Sequence, residues 1–203
     1  MTITSKSFGG KKVIFESIID EVIGGVSLKT ARLDSLTVNT NVDKRELPAG
    51  TPVYIDRAAR TADVCKSVIA LLGTTAQAIK VPKNNHFKVG DFLNDGVKSS
   101  AITGITTTDA SFDTLATAEA LVYAEGTKYG EGSVSGTSAV LLFTPNGVTK
   151  DNCWIGDGNA DVGVVTMGSV RESALTFPVN ALYKVALRGG ASGTGTSLIT
   201  FTV

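Results

Sequence analysis

A chain of 203 residues suits one large or two small domains and can bury a core without help from metals or disulfides. Hydrophobic residues make up 42% and charged residues 19%, which excludes a disordered polar chain. Lys+Arg and Asp+Glu balance at 19 each, so no cationic surplus is available to neutralise phosphates, and nucleic acid is excluded as the main partner.

The first residues, MTITSKSFGGKKVIFESIIDEVIGG, carry lysines ahead of an apolar run, but Glu16, Asp20 and Glu21 interrupt it and no A-x-A site follows. No signal peptide is expected, and no stretch approaches the roughly 20 apolar residues of a membrane span, so the expected setting is a reducing cytoplasm with no membrane partner. Residues 13 to 23 do not alternate; at about 100° per residue they segregate into two faces. Ile14, Phe15, Ile18, Ile19, Val22 and Ile23 fall on one half of the wheel, and Glu16, Ser17, Asp20 and Glu21 on the other, with Gly24-Gly25 as a stop. The spacing predicts an amphipathic helix. The face bearing Ile14, Phe15, Ile18, Ile19 and Val22 is a candidate partner-binding surface, with burial in the chain's own core as the alternative.

From Gly25 the period becomes two, with Val26, Leu28, Thr30 and Arg32 on one side of VSLKTARL. Residues 1–45 thus form an N-terminal segment with a helix and a first strand, and 46–203 a mainly β body, divisible into two subdomains near 108–138. In that body, Val53 to Ile55 reads as a strand, DRAAR as a turn, and Thr61 as the start of the returning strand. The stretch VPKNNHFKVGDFLND reads as a second hairpin: a loop at Pro82 to Asn85, alternation at Phe87 and Val89, a turn at Gly90-Asp91, and a strand from Phe92. AITGITTT, SFDTL, SAVLLFT, DVGVVTMGSV and SLITFTV are further short strand candidates rich in Val, Ile, Thr and Phe. FPVNALYKVALRGG predicts one helix, with Val179, Leu182, Tyr183, Ala186 and Leu187 at helical spacing behind Pro178. GGASGTGTS then reads as a flexible connector. The expected fold class is mainly β with one or two short helices: a compact antiparallel β-barrel or sandwich, in one or more modules.

No catalytic, cofactor or metal site is expected. His86 is the only histidine, and Asp91 and Asp95 follow it, yet no nucleophile motif accompanies it; GSVSG has Val134 where a GxSxG serine belongs. It is expected to be a surface-loop histidine whose loss costs within about 0.5 kcal/mol. Asp157, Asn159 and Asp161 begin like a calcium loop, but Val162 and Gly168 stand where that loop needs glycine and glutamate. An Asx-supported turn is expected there, with ion binding by these three residues left open. GTGTSL lacks the third glycine of a dinucleotide fingerprint. Cys65 and Cys153 are far apart and read as free thiols. Trp154, the single tryptophan, is expected in a core or interface; a sugar-stacking platform is the alternative.

The order GGVSL, LPAGTPVYID with RTADVCK, HFKVGDFL and then TPNGVTKDNCWIGDGNADVGVVTMGSVRESAL resembles phage capsid decoration and head-fibre proteins, in particular the phi29-type head-fibre family of Bacteroidetes phages, over residues 20 to 185. The resemblance implies a non-enzymatic virion structural protein on the outside of the major capsid shell, assembled in the host cytoplasm. Its implied partners are the major capsid protein, its own copies in a homotrimer, and other fibre or accessory capsid proteins. No repetitive shaft precedes Val203, which favours a compact knob or fibre base. The alternative function is a carbohydrate-binding or adhesion module on the virion surface.

Overall fold

The computed structural model describes residues 14–33, 46–83, 85–155, 160–189 and 197–202. In chain order the strands are β1 (Phe15–Glu21), β2 (Val26–Lys29), β3 (Glu46–Leu47), β4 (Pro52–Asp56), β5 (Thr61–Val64), β6 (Ser67–Ile69), β7 (Ala78–Pro82), β8 (Phe92–Asn94), β9 (Ser99–Thr106), β10 (Phe112–Thr117), β11 (Lys128–Gly132), β12 (Gly147–Thr149), β13 (Cys153–Trp154), β14 (Ala160–Val162), β15 (Val164–Arg171) and β16 (Leu198–Thr202). One α-helix, α1 (Ala181–Leu187), and a single 3-10 turn at Glu172–Ala174 complete the described elements. The fold is mainly β, as the spacing of turn residues predicts.

Two sheets carry most of it. The first runs β1-β15-β12-β4-β5-β2-β14, with β16 also paired to β15. It is antiparallel except for the β15–β16 and β2–β5 pairs. The second runs β6-β11-β8-β9-β10-β7 and curls until its end strands meet, the Leu71 N–H donating to the Lys80 carbonyl at 2.8 Å. Residues 67–132 thus form a barrel-like unit inserted between β5 and β12 of the first sheet; β10 and β11, on either side of residue 120, both belong to it.

Strand periodicity builds the cores. In the barrel, Val68, Ile79, Val81, Leu93, Ile102, Leu115 and Tyr129 alternate inward around Phe87 and are fully buried. The first sheet is buried on both faces. Val53, Ile55, Ala62, Val64 and Val164 pack beneath the β3–β13 ribbon through Leu47 and Cys153, while Val148, Val165 and Val170 pack against Tyr183 and Leu187 of α1. The helix begins where Asn180 accepts the Tyr183 N–H at 2.8 Å, an N-cap that satisfies one of the first-turn donors.

The hairpin expected at 53–64 forms as β4 and β5, Val53 opposite Val64 and Asp56 opposite Thr61. Asp56 Oδ1 accepts the N–H groups of Ala58 and Ala59 at 3.0 Å, which shapes the turn. Three expectations are corrected. Residues 13–23 are not a helix: β1 is a strand paired antiparallel to β15. Its register shifts put Glu16 and Ile19 in bulges, two β1 residues facing one of β15 at each. The first bulge stretches the period, so that Phe15 and Ile18 return to the same side three residues apart, as they would on a helix. Residues 85–88 are not a strand; the hairpin of this region is β8–β9, turned by Asp95, whose Oδ1 accepts the Val97 and Lys98 N–H groups at 2.8 Å. SAVLLFT makes one isolated bridge, Gly132 to Leu141, and otherwise supplies Leu141 and Phe143 to the core beneath α1. The connector at 190–196 lies outside the described residues.

Candidate functional site

The densest polar constellation sits where the barrel joins the first sheet. Arg32 follows β2, Asp63 lies on β5, Lys66 is in the short link to β6, Asp91 precedes β8 and Glu131 lies on β11. Lys66 Nζ is 2.6 Å from Asp91 Oδ2 and 3.2 Å from Glu131 Oε1; its side chain is 1% exposed and that of Glu131 2%. Arg32 Nη2 also binds Glu131 Oε1, and Arg32 Nη1 lies 3.9 Å from Asp63 Oδ1. Lys29 Nζ completes the chain at 3.3 Å from Asp63 Oδ2. Three cations face three carboxylates, so the charges cancel within the cluster. Burial at this cost is tolerable only because every charge has a counter-charge in contact.

Tyr183 links the same region to α1: its hydroxyl accepts the Glu131 N–H and donates to the Lys66 carbonyl, both at 3.0 Å. Towards the surface the Arg32 guanidinium lies 4.7 Å above the Phe143 ring, which stacks on Tyr54 at 5.6 Å. Beneath the cluster, Thr51, Val64, Cys65, Lys66, Ser67, His86 and Phe177 line a cavity of about 10 Å³, room for about one water and far below the ~300 Å³ at which ligand pockets usually begin. The chemistry available here is charge pairing between two units, with each carboxylate and ammonium committed to a partner.

The sequence-derived candidates disperse. His86 is not on the surface: it is buried, its ring edge-on to Phe177 at 5.5 Å, in the wall of the junction cavity. Apolar neighbours on both sides of the link bury a residue that its loop-like sequence context marks as exposed. Asp91 serves Lys66 and accepts the Lys88 N–H at 2.7 Å, whereas Asp95 shapes the turn after β8 and accepts the Val122 N–H at 2.8 Å. Among the described residues no group of His, Cys, Asp and Glu side chains could hold a metal ion. Asp161 lies on β14, while Asp157 and Asn159 fall outside the described residues. Cys65 and Cys153 are buried free thiols. Burial, then the Glu131 carboxylate, pushes the Cys65 thiol well above its ordinary range; burial and Asp161 raise Cys153. Both are poor nucleophiles as a result. Trp154 is half exposed on β13 opposite Glu46 and is not a core residue.

The five proposed partner-binding residues are divided by the bulges of β1. Ile14, Phe15 and Ile18 pack against the core beneath α1, and Val22 packs against the opposite core. Ile19, pushed out at a bulge, is 70% exposed, and Ile23 in the following turn is 89% exposed. Glu16, Asp20 and Glu21 point away from the core and reach Arg171, Thr166 and Lys150 respectively. The junction cluster itself is missed by sequence reasoning, because its members are spread over about a hundred residues and each is a single charge in a polar stretch. The exception is Lys66, a cation set between Val64-Cys65 and the run SVIALL, which is the one local sign of a buried counter-charge. No helix among the described residues is long and apolar enough to cross a membrane. Set against protein-family models, curated proteins and solved structures, the chain shows no match.

Proposed function

We propose that this chain is a non-enzymatic structural protein of a phage virion, a head-fibre or decoration protein that binds the outside of the major capsid shell as a homotrimer. The observation that carries this reading is the geometry of β1. It ends the first sheet among the described residues, leaves one backbone edge open, and presents Ile19 and Ile23 outward while its other apolar residues serve the core. Edge strands of this kind are natural sites for pairing with another chain. Two β units fixed together by a charge-balanced ion cluster with Lys66 and Glu131 buried at its centre also suit a protein whose work is to hold its shape on a shell. The sequence resemblance over residues 20 to 185 supplies the identity of that shell.

The test is a double substitution, Ile19→Asp with Ile23→Asp, assayed by co-sedimentation with phage capsids assembled from the major capsid protein. Both side chains are exposed, so the variant folds as the wild type does and its binding to capsids is lost; normal decoration by the folded variant overturns the assignment of this edge. A second reading rests on the half-exposed Trp154: a glycan-binding role for the virion surface. A glycan-array signal abolished by Trp154→Ala is the result that favours it.

A further inference from the structure

Lys83 and Asp113 form a second buried charge pair, separate from the junction cluster, where the loop after β7 meets β10. Lys83 Nζ lies 2.9 Å from Asp113 Oδ1, with the two side chains 4% and 0% exposed. The ammonium also donates to the Thr107 carbonyl at 2.8 Å. Asp113 Oδ2 accepts the Asn85 Nδ2–H at 2.9 Å, and Asn85 in turn donates to the Pro82 carbonyl at 2.9 Å. Asn85 is itself 1% exposed. An amine and a carboxyl group are therefore held in contact and shielded from water, each fixed by further hydrogen bonds.

We propose that Lys83 and Asp113 condense into an intramolecular isopeptide cross-link, joining the end of β7 to the start of β10. Nζ is one C–O bond beyond 2.9 Å from Cγ, hence within about 4 Å of the carbon it would attack, close to the separation of a near-attack conformer. One proton passes from the ammonium to the carboxylate across the existing hydrogen bond, giving amine and carboxylic acid. The nitrogen lone pair adds to Cγ, and the tetrahedral oxygen keeps its hydrogen bond from Asn85 Nδ2. The C–O bond then breaks and hydroxide leaves with a proton from nitrogen, as water. Ammonium and carboxylate become amide and water, with no oxidant, reductant or co-reactant.

Two physical effects favour the product. Groups held this way react as though at an effective concentration of about 10⁵ M or more, which replaces the activation an intermolecular amide needs. Condensation also removes two charges from a site where desolvation penalises them, and it releases the water from a closed interior. The assignment concerns the barrel alone and stands whatever the chain binds.

The experiment is intact-mass spectrometry on the full chain, first recovered unfolded in denaturant and then after refolding. The expected result is the full sequence mass before folding and a loss of one water afterwards. A branched proteolytic peptide then links Lys83 to Asp113, and Asp113→Ala keeps its full mass through the same cycle. A refolded wild-type chain that retains its full mass overturns the proposal without reliance on any variant. Loss of ammonia in place of water also overturns it, because the electrophile is then an amide side chain and not Asp113.

Discussion

Tyr183 carries two hydrogen bonds on one oxygen, one to β11 and one to the link between the two units. Its Phe variant keeps the ring and strands a buried N–H and a buried carbonyl, so Tyr183→Phe is expected to lose about 1–3 kcal/mol in urea unfolding. The ring of Tyr183 was legible as core from its helical spacing, but the role of its hydroxyl depends on Lys66 and Glu131, 117 and 52 residues away. His86 makes the contrast sharper. Its neighbours Asn85 and Phe87 are buried with it, and a loop sequence of Pro, Asn and Lys gives no hint of that. With the imidazole packed against Phe177, His86→Ala opens a void at the junction, and about 1–3 kcal/mol of stability is expected to go, measured by chemical unfolding. A change under about 0.5 kcal/mol would mean that the ring contributes no more than a surface side chain.

Among the elements, α1 was legible because its apolar spacing and flanking Pro and Gly all agree, and its start is set by Asn180 two residues after Pro178. The β4–β5 hairpin was legible for the same reason: strand alternation, an Asx turn and the return strand are contiguous. β1 was misread because a bulge imitates the helical period, and a bulge is defined by its partner strand, which lies about 150 residues later. That partner contains the element's most constrained position. Gly168 faces Ile18, and a Cβ there would collide with the Ser17 carbonyl oxygen. Backbone cannot yield as a flexible side chain can, so Gly168→Ala is expected to push β1 outward, with a loss of about 1–3 kcal/mol. Hydrogen exchange is the discriminating measurement: the amides of β1 lose protection while those of the barrel keep theirs.

Across the whole molecule, Glu172 ties the barrel to the helix, with Lys128 of β11 and Lys184 of α1 each 2.6 Å from one of its oxygens. Burial alone would raise its pKa, but the two lysines outweigh burial and hold it below its ordinary value of 4.5. A carboxylate depressed on folding stabilises the native state above its unfolded pKa, and that contribution fades as the pH falls through the folded one. Glu172→Gln is therefore expected to be less stable than the wild type at neutral pH. The gap should narrow below pH 4.5 and close once the native carboxyl is protonated. A gap independent of pH in thermal melts would assign the loss to packing. Composition and turn spacing made the β class legible, but not which strands pair, because the inserted barrel separates β5 from β12 by a unit of its own. That insertion also sets an order of events during synthesis. The barrel closes on neighbours such as β8 and β9, whereas Glu16 must wait for Arg171, 155 residues downstream. Low contact order favours early closure, and domains emerging first fold first, so the barrel is expected to mature on the ribosome while β1 is still unpaired. Pulse-labelled exchange during refolding should show the same sequence, barrel amides protected before those of β1. Until β15 arrives, Phe15 and Ile18 travel uncovered on a nascent chain, and the rate of translation through residues 133–171 sets how long the growing protein is exposed to aggregation.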